Sequence, residues 1–167
     1  MESAEYEFEQ LVEEYMTDVR KIIFVYVKNK QAMEDVAQEV FLSVYRNLNQ
    51  FRRESSIKSW IMKIAVNKSK DYLKSWHYRK VSLSGFFKEE PSRDDTEHKA
   101  ISNFQNQELA EVIMNLPIKY REIIILYYYE DMDTAQISDI LNVNVNTVKT
   151  RLIRGRELIK RRFEFNG

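Results

Sequence analysis

Thr134-Ala-Gln-Ile-Ser-Asp-Ile-Leu-Asn-Val-Asn-Val-Asn-Thr-Val-Lys-Thr-Arg-Leu152 is the stretch that decides the fold of this chain. Ile137, Ile140 and Leu141, and then Val145, Val148 and Leu152, recur at three and four, the spacing of one helix face. Between the two runs stand Asn142 and Val143. Asparagine tolerates the left-handed backbone that a sharp turn requires. Asp133 or Thr134 can cap the first helix and Asn144 the second. Two helices joined by so short a break form a helix-turn-helix.

The second helix is expected to run from Val145 to about Phe163. At about 100° per residue, Val145, Val148, Leu152, Gly155, Ile159 and Phe163 share the core side. Thr150 lies nearly opposite, surrounded by Asn146, Thr147, Ile153, Arg154 and Arg161, with Lys149 and Arg151 on the flanks. Hydroxyl, amide, guanidinium and one aliphatic group are the equipment of major-groove readout, where Arg pairs with guanine and an aliphatic side chain meets the thymine methyl. A solvated amphipathic helix is the plain alternative.

Upstream, a short helix from near Gln107 ends at Asn115 or Leu116, before Pro117. Lys119 to Glu130 follows, carrying Ile123, Ile124, Leu126 and Tyr127; its length and Gly-free flanks favour a buried helix over a strand. From Val81 to Gln105 periodicity fails among Ser82, Ser84, Gly85, Pro91, Ser92, Arg93, Asp94 and Asp95, which reads as a linker. Before it come three helical runs: Phe8 to Tyr26, Ala32 to Leu48, and Ile57 to about Ser75. Lys28–Gln31 and Arg52–Ser56 interrupt them, with Ser55 or Ser56 as a cap. The expected fold class is all-α: two small helical domains, residues 1–80 and 107–167, joined by a flexible linker at 81–106, each burying its own core.

Composition agrees. Three Gly and two Pro in 167 residues leave few of the turns that sheets need. The absence of Cys rules out disulfides and thiolate metal sites, and His77 and His98 lie in unrelated contexts, so neither a metal nor a cofactor is expected. The opening residues do not show a charged stretch followed by an apolar one, and no apolar run approaches membrane length, so a cytoplasmic protein without membrane insertion is expected. Net charge is zero, but its distribution is uneven. Residues 1–51 carry five basic and ten acidic side chains, 52–80 nine and two, 81–144 five and twelve, 145–167 seven and two. Two basic blocks set between acidic ones suit two phosphate-binding surfaces, though solvated helix faces would carry the same charges.

The block at 52–80 contains Lys63, Asn67, Lys70 and Lys74 at helical spacing, a stripe suited to phosphates plus one base edge. Phe51, Tyr72, Trp76 and Tyr78 lie nearby, and aromatics among cations suit unstacked bases. Trp60 is expected in the core.

Several of these segments resemble one family. Asn144-Val-Asn-Thr-Val-Lys-Thr-Arg-Leu-Ile-Arg-Gly-Arg156, with Leu116-Pro117, Arg121-Glu122 and Ile137-Ser-Asp-Ile-Leu141 before it, resembles the region 4 helix-turn-helix of group IV (extracytoplasmic function) sigma factors of the sigma-70 family. The resemblance implies that this domain reads the −35 promoter element, with Lys149, Thr150, Ile153 and Arg154 on bases and Thr147, Arg151 and Arg156 on phosphates. Asn146 stands where the family usually has Gly, and Gly155 where it usually has Ala; a mid-helix Gly costs up to about 1 kcal/mol, which predicts a looser helix end. Phe51-Arg, Ser59-Trp-Ile61 and Ile64-Ala-Val-Asn67 with Asp71 and Leu73 resemble the region that melts and reads the −10 element. Carried over, Asn67 takes the flipped base, and Phe51, Lys63, Lys70, Asp71 and Lys74 surround it; Asp71 departs from the family's more neutral residues. Glu34-Asp-Val-Ala-Gln-Glu-Val-Phe41 resembles the polymerase-binding segment, which assigns Asp35, Val36, Gln38, Glu39 and Phe41 to contact with the core RNA polymerase. The resemblance spans about residues 6–80 and 107–163. It implies as partners the β′ clamp helices and β flap of core polymerase, promoter DNA and an anti-sigma factor, with no small-molecule substrate.

Two rival classes, an enzyme and a helix-turn-helix repressor or activator that never joins polymerase, find less support in the residues. For an enzyme, the carboxylates lie beside lysines on helix surfaces, and neither a Gly-rich phosphate loop, a Ser-His-Asp set nor HExxH is present; no catalytic residue is expected. A helix-turn-helix repressor usually dimerises on palindromic sites, and nothing here resembles a dimerisation helix.

Overall fold

The computed structural model describes residues 2–83 and 106–165. Seven α-helices and no strand are found among them. Helix α1 (Glu2–Val27) ends where Lys28 turns left-handed at φ 50°. Asn29 then caps α2 (Lys30–Asn47), its side-chain oxygen accepting from the Ala32 N–H at 2.9 Å. After a 3-10 turn at Leu48–Gln50 and a polar loop, Ser56 caps α3 (Ile57–Leu83) by accepting from the Ser59 N–H at 3.1 Å. An ion pair of 3.1 Å between Arg20 and Glu34 ties α2 to α1. The three helices bury Val19, Ile22, Ile23, Val40, Val44, Ile61, Met62, Ala65 and Val66 between them.

The end of the third helix differs from the sequence reading. Helix α3 was expected to stop near Ser75 but continues to Leu83, taking in the first residues assigned to the linker. Neither Pro nor Gly stands between Ser75 and Leu83, so nothing there breaks it. The rest of the expected linker, residues 84–105, lies outside the described residues, as does the Tyr78 side chain.

The second unit opens with α4 (Gln107–Met114), capped by Asn106. Pro117 starts α5 (Ile118–Ile124), which passes into a π turn over Ile125–Tyr129. There the Glu130 N–H bonds the Ile125 carbonyl at 3.1 Å, one residue beyond the α-helical partner. The Ile- and Tyr-rich run is helical, as its length predicted, but the widened last turn had no signal in its periodicity. Asp131 (φ 54°) closes it, and the Met132 N–H reaches back to the Leu126 carbonyl at 3.0 Å. Helices α6 (Thr134–Leu141) and α7 (Val145–Phe165) complete the unit.

The sequence reading gave each unit its own core. The buried apolar cluster instead runs through both, from Val19 and Tyr26 of α1 to Ile123 and Leu126 of the second unit. Helix α1 packs on α5, and α3 packs on α6.

The turn between α6 and α7 is fixed several times over. Asp133 and Gln136 form a capping box, each side chain accepting from the other's backbone N–H, at 2.8 and 2.9 Å. Asn142 takes the left-handed conformation, φ 52° and ψ 47°. The Ser138 hydroxyl donates to the Val143 carbonyl at 2.6 Å, and the Val143 N–H donates back to the Ser138 carbonyl at 3.1 Å. Replacing Asp133 with Ala removes the cap and costs about 1 kcal/mol; urea unfolding of D133A should show that loss, and unchanged stability would mean the box is idle in solution.

Candidate nucleic-acid interface

The helix-turn-helix presents α7 with one face buried and one open. Val148 and Leu152 are buried, whereas Asn146, Lys149, Thr150, Ile153 and Arg154 are exposed, Ile153 at 55%. Thr147 and Arg151 are half-buried on the flanks. The Thr150 hydroxyl donates to the Asn146 carbonyl at 2.9 Å. Arg154 makes an ion pair of 3.2 Å with Glu157, one turn on; being exposed, such a pair is weak and yields readily to a stronger anion.

Arg156 does not join this face. Its guanidinium lies 5.7 and 5.5 Å from the ring centres of Tyr127 and Tyr128 and donates to the Tyr128 hydroxyl. This places it on the opposite rim, beside a groove of about 470 Å³ lined by Leu109, Ile113, Ile124, Tyr129, Ile159 and Lys160 among others.

Gly155 is also explained. An added Cβ would come within 3.2 Å of the Ile124 side chain and 3.6 Å of Tyr120 Cβ. The absent methyl lets α7 lie close on α5, so close packing accompanies the expected propensity cost.

In the first unit, Asn67 and Lys74 are exposed along α3, and Asp71 is exposed beside them. Lys63 and Lys70, on the same stripe, are half-buried and engaged: Lys63 lies 3.3 Å from Asp139, and Lys70 lies 3.5 Å from Glu122. Phe51 stacks on Trp60 with ring centres 4.9 Å apart, and both rings are half-buried. Trp60 is thus at the edge of the core rather than inside it.

On α2, Asp35, Gln38 and Glu39 form an exposed face, with Asp35 accepting from the Gln31 amide at 3.1 Å. Val36 and Phe41 were assigned to polymerase contact, but they are only 2% and 5% exposed. They hold the helix under the face and do not form it, because their positions point at α1 and α3. Sequence reasoning overlooked Leu42 and Tyr45, both about half exposed on α2. The spacing of Leu42 from Gln38 and Glu39 was the available signal.

Sequence reasoning also missed the seam between the units. The Arg121 guanidinium is buried and donates to the Leu116 carbonyl at 2.9 Å and to the Val25 carbonyl at the end of α1. The buried Tyr26 hydroxyl donates to Glu122. Burial, and then the neighbouring Glu122 carboxylate, push this phenol well above its ordinary value. Lys58 donates to the Glu130 carbonyl at 3.0 Å and approaches its carboxylate at 3.4 Å. The Glu130 carboxylate is buried and accepts no well-directed hydrogen bond. Desolvation, reinforced by Asp18 and opposed by Lys58, raises it from 4.5 to about 7. Gln136 donates to the Ser59 hydroxyl at 3.3 Å. Among the described residues no cluster of His, Cys, Asp or Glu is grouped to hold a metal, and no helix is long and apolar enough to cross a membrane.

Comparison with known proteins places this architecture. The family described as Sigma-70 region 2 matches residues 11–77, and that described as Sigma-70 region 4 matches residues 106–159. The two together define a sigma factor, the subunit that directs RNA polymerase to promoters. Over 161 residues the chain is 32% identical to the ECF RNA polymerase sigma-E factor of Escherichia coli K12, covering 91% of this chain and 84% of that protein. To RNA polymerase sigma factor SigV of Bacillus subtilis it is 31% identical over 149 residues, covering 89% and 86%. The chain belongs to the extracytoplasmic function (ECF) family of RNA polymerase sigma factors. Its fold is similar to that of the sigma factor RpoE in complex with the anti-sigma factor NepR from Bartonella quintana, with a TM-score of 0.77 at 17% identity over 95% of this chain and 97% of that one. It is also similar to CnrH in complex with the cytosolic domain of CnrY, with a TM-score of 0.71 at 18% identity over 98% and 91%.

Glu130 makes the seam sensitive to pH. Its carboxyl is raised in the closed structure, so the closed state holds a proton that the open chain releases. The contribution of Glu130 to the seam is therefore fully present below about 4.5 and is lost as pH rises to about 7. Asp18 on α1 adds to the shift and Lys58 on α3 limits it. Urea titrations between those values should show stability falling with pH, and Glu130→Gln should flatten that slope; an unchanged slope would show that Glu130 does not titrate there.

Proposed function

We propose that residues 107–167 read the −35 element, that residues 1–80 hold core polymerase and capture the −10 strand, and that residues 81–106 connect them. The observation that carries this reading is the open face of α7, where Lys149, Thr150, Ile153 and Arg154 stand clear of the core beyond a rigid helix-turn-helix. These four side chains contact bases, and Thr147 and Arg151 contact phosphates at the edges. Arg156 reaches phosphate only by leaving Tyr128. On α3, Asn67 takes the flipped base, Lys63, Lys70 and Lys74 follow the backbone, and Phe51 and Asp71 border the pocket.

Asp35, Gln38 and Glu39 dock on the β′ clamp helices of the polymerase, with exposed Leu42 as an apolar anchor within an acidic face. The apolar groove rimmed by Arg156 and Lys160 receives the β flap. The polymerase performs the chemistry, and this chain contributes binding and strand capture without catalysis of its own. An anti-sigma factor restrains it in the cytoplasm; the structural relative bound to the anti-sigma factor NepR supports that reading.

Arg154→Ala should weaken promoter binding by about 1–3 kcal/mol and relax selectivity at one −35 position. Titration of single-base promoter variants checks this, and equal loss on every sequence would make Arg154 a phosphate contact instead. Asp35→Lys with Glu39→Lys should abolish co-elution with core polymerase while leaving the helical circular dichroism intact. Retained co-elution would remove α2 from the docking surface.

A further inference from the structure

The two reading helices are not equally available. The face of α7 that carries Thr150, Ile153 and Arg154 is open to solvent. On α3, by contrast, Lys63 and Lys70 each end on a carboxylate of the other domain, Asp139 of α6 at 3.3 Å and Glu122 of α5 at 3.5 Å. Asn67, between them on the stripe, stays exposed. A lysine ammonium is a compact point charge that accepts a carboxylate or a phosphate oxygen alike. The Lys63–Asp139 pair is partly exposed and weak, whereas in the Lys70–Glu122 pair the carboxylate is buried and also accepts from the Tyr26 hydroxyl. The seam is held by Arg121 on the Val25 and Leu116 carbonyls, by Tyr26 on Glu122 and by the shared core. Packing therefore delivers the two carboxylates to the two lysines, where tethering gives them a high effective concentration against a free anion.

We propose that the C-terminal domain is an internal competitor for single-stranded DNA: Glu122 and Asp139 occupy Lys70 and Lys63 in place of phosphates, so the free chain presents its −35 helix and withholds two of the phosphate-binding lysines of its −10 helix. This rests on the assignment of α3 to strand capture and goes beyond it, because opening of the seam becomes a step that must precede that capture.

The test uses the full chain and a fluorescein-labelled single-stranded DNA of randomised sequence, which suffices because lysines that bind phosphate read no bases. Anisotropy is followed over a salt series for the wild type and for E122Q/D139N. With both lysines released, affinity at low salt should rise about tenfold, and the slope of log K against log salt should steepen by about 1.4, roughly 0.7 for each phosphate gained on a single strand. Asp139 is exposed, so D139N alone folds even where the double variant does not, and it should steepen the slope by about 0.7. E108Q/E111Q removes the same charge from exposed positions of α4 and should leave the slope at the wild-type value. Unchanged slopes in E122Q/D139N and D139N, or an equal change in the control, would overturn the proposal. Holoenzyme carrying K63A/K70A is measured alongside. If its strand capture falls while the free-chain slopes stay fixed, masking alone fails; if its capture is unaffected, the strand-capture reading fails and masking with it.

Discussion

Arg121 is the interaction on which the rest of the structure depends. A helix ends with carbonyl groups that have no partner along the chain. The last turn of α1 leaves the Val25 carbonyl, and the break before Pro117 leaves that of Leu116. One buried guanidinium donates to both, joining two units that are distant in sequence. Losing it would leave buried carbonyls unpaired, each at a cost of about 1–3 kcal/mol. Tyr26 and Glu122 stand next to these groups in sequence and meet across the same seam. Because α1 and α5 are fixed there, α6 is held against α3, and the acidic side chains of the second domain come to rest on the lysines of the first.

That arrangement gives the alternating charge blocks a structural meaning. Glu122, Glu130 and Asp139 of the acidic block meet Lys70, Lys58 and Lys63 of the basic block at 52–80 across the seam, whereas the described cations of α7 lie on its exposed or half-buried surface. The zero net charge of the whole chain thus conceals one basic surface partly neutralised from within and one whose cations face solvent. The buried Glu130 belongs to the same seam, and its weak support from Lys58 sets it apart from the well-bonded Arg121. The closed form therefore combines well-bonded polar contacts, Arg121 and the Tyr26–Glu122 pair among them, with one at Glu130 that a proton can strengthen.

The helix-turn-helix was legible because its signals are local. Asp133, Gln136, Asn142 and Asn144 lie within a few residues of the backbone groups they bind, and the apolar spacing of α6 and α7 is regular. The outward set of α7 followed from spacing; Arg156 joined it only through the resemblance, and its aromatic partners Tyr127 and Tyr128 sit on the preceding π turn. Tertiary facts were not legible. Whether Val36 and Phe41 face polymerase or the core depends on where α1 and α3 lie, which α2 alone does not record. The π turn at Ile125–Tyr129 leaves no break in an apolar run, and the pairing of Arg121 with Val25 spans most of the chain. Family resemblance located the motif around Arg121 and Glu122, but it did not say that these two residues close one domain on the other.

The central claim is that this chain turns core polymerase toward promoters through two elements read by two helices. It is tested most directly by transcription from a pool of genomic fragments with core polymerase and the purified chain, followed by mapping of the 5′ ends. The account predicts start sites that depend on the chain and share two upstream elements at a constant spacing, matching α7 and α3. Start sites that are unchanged when the chain is omitted, or that share one element alone, would contradict it.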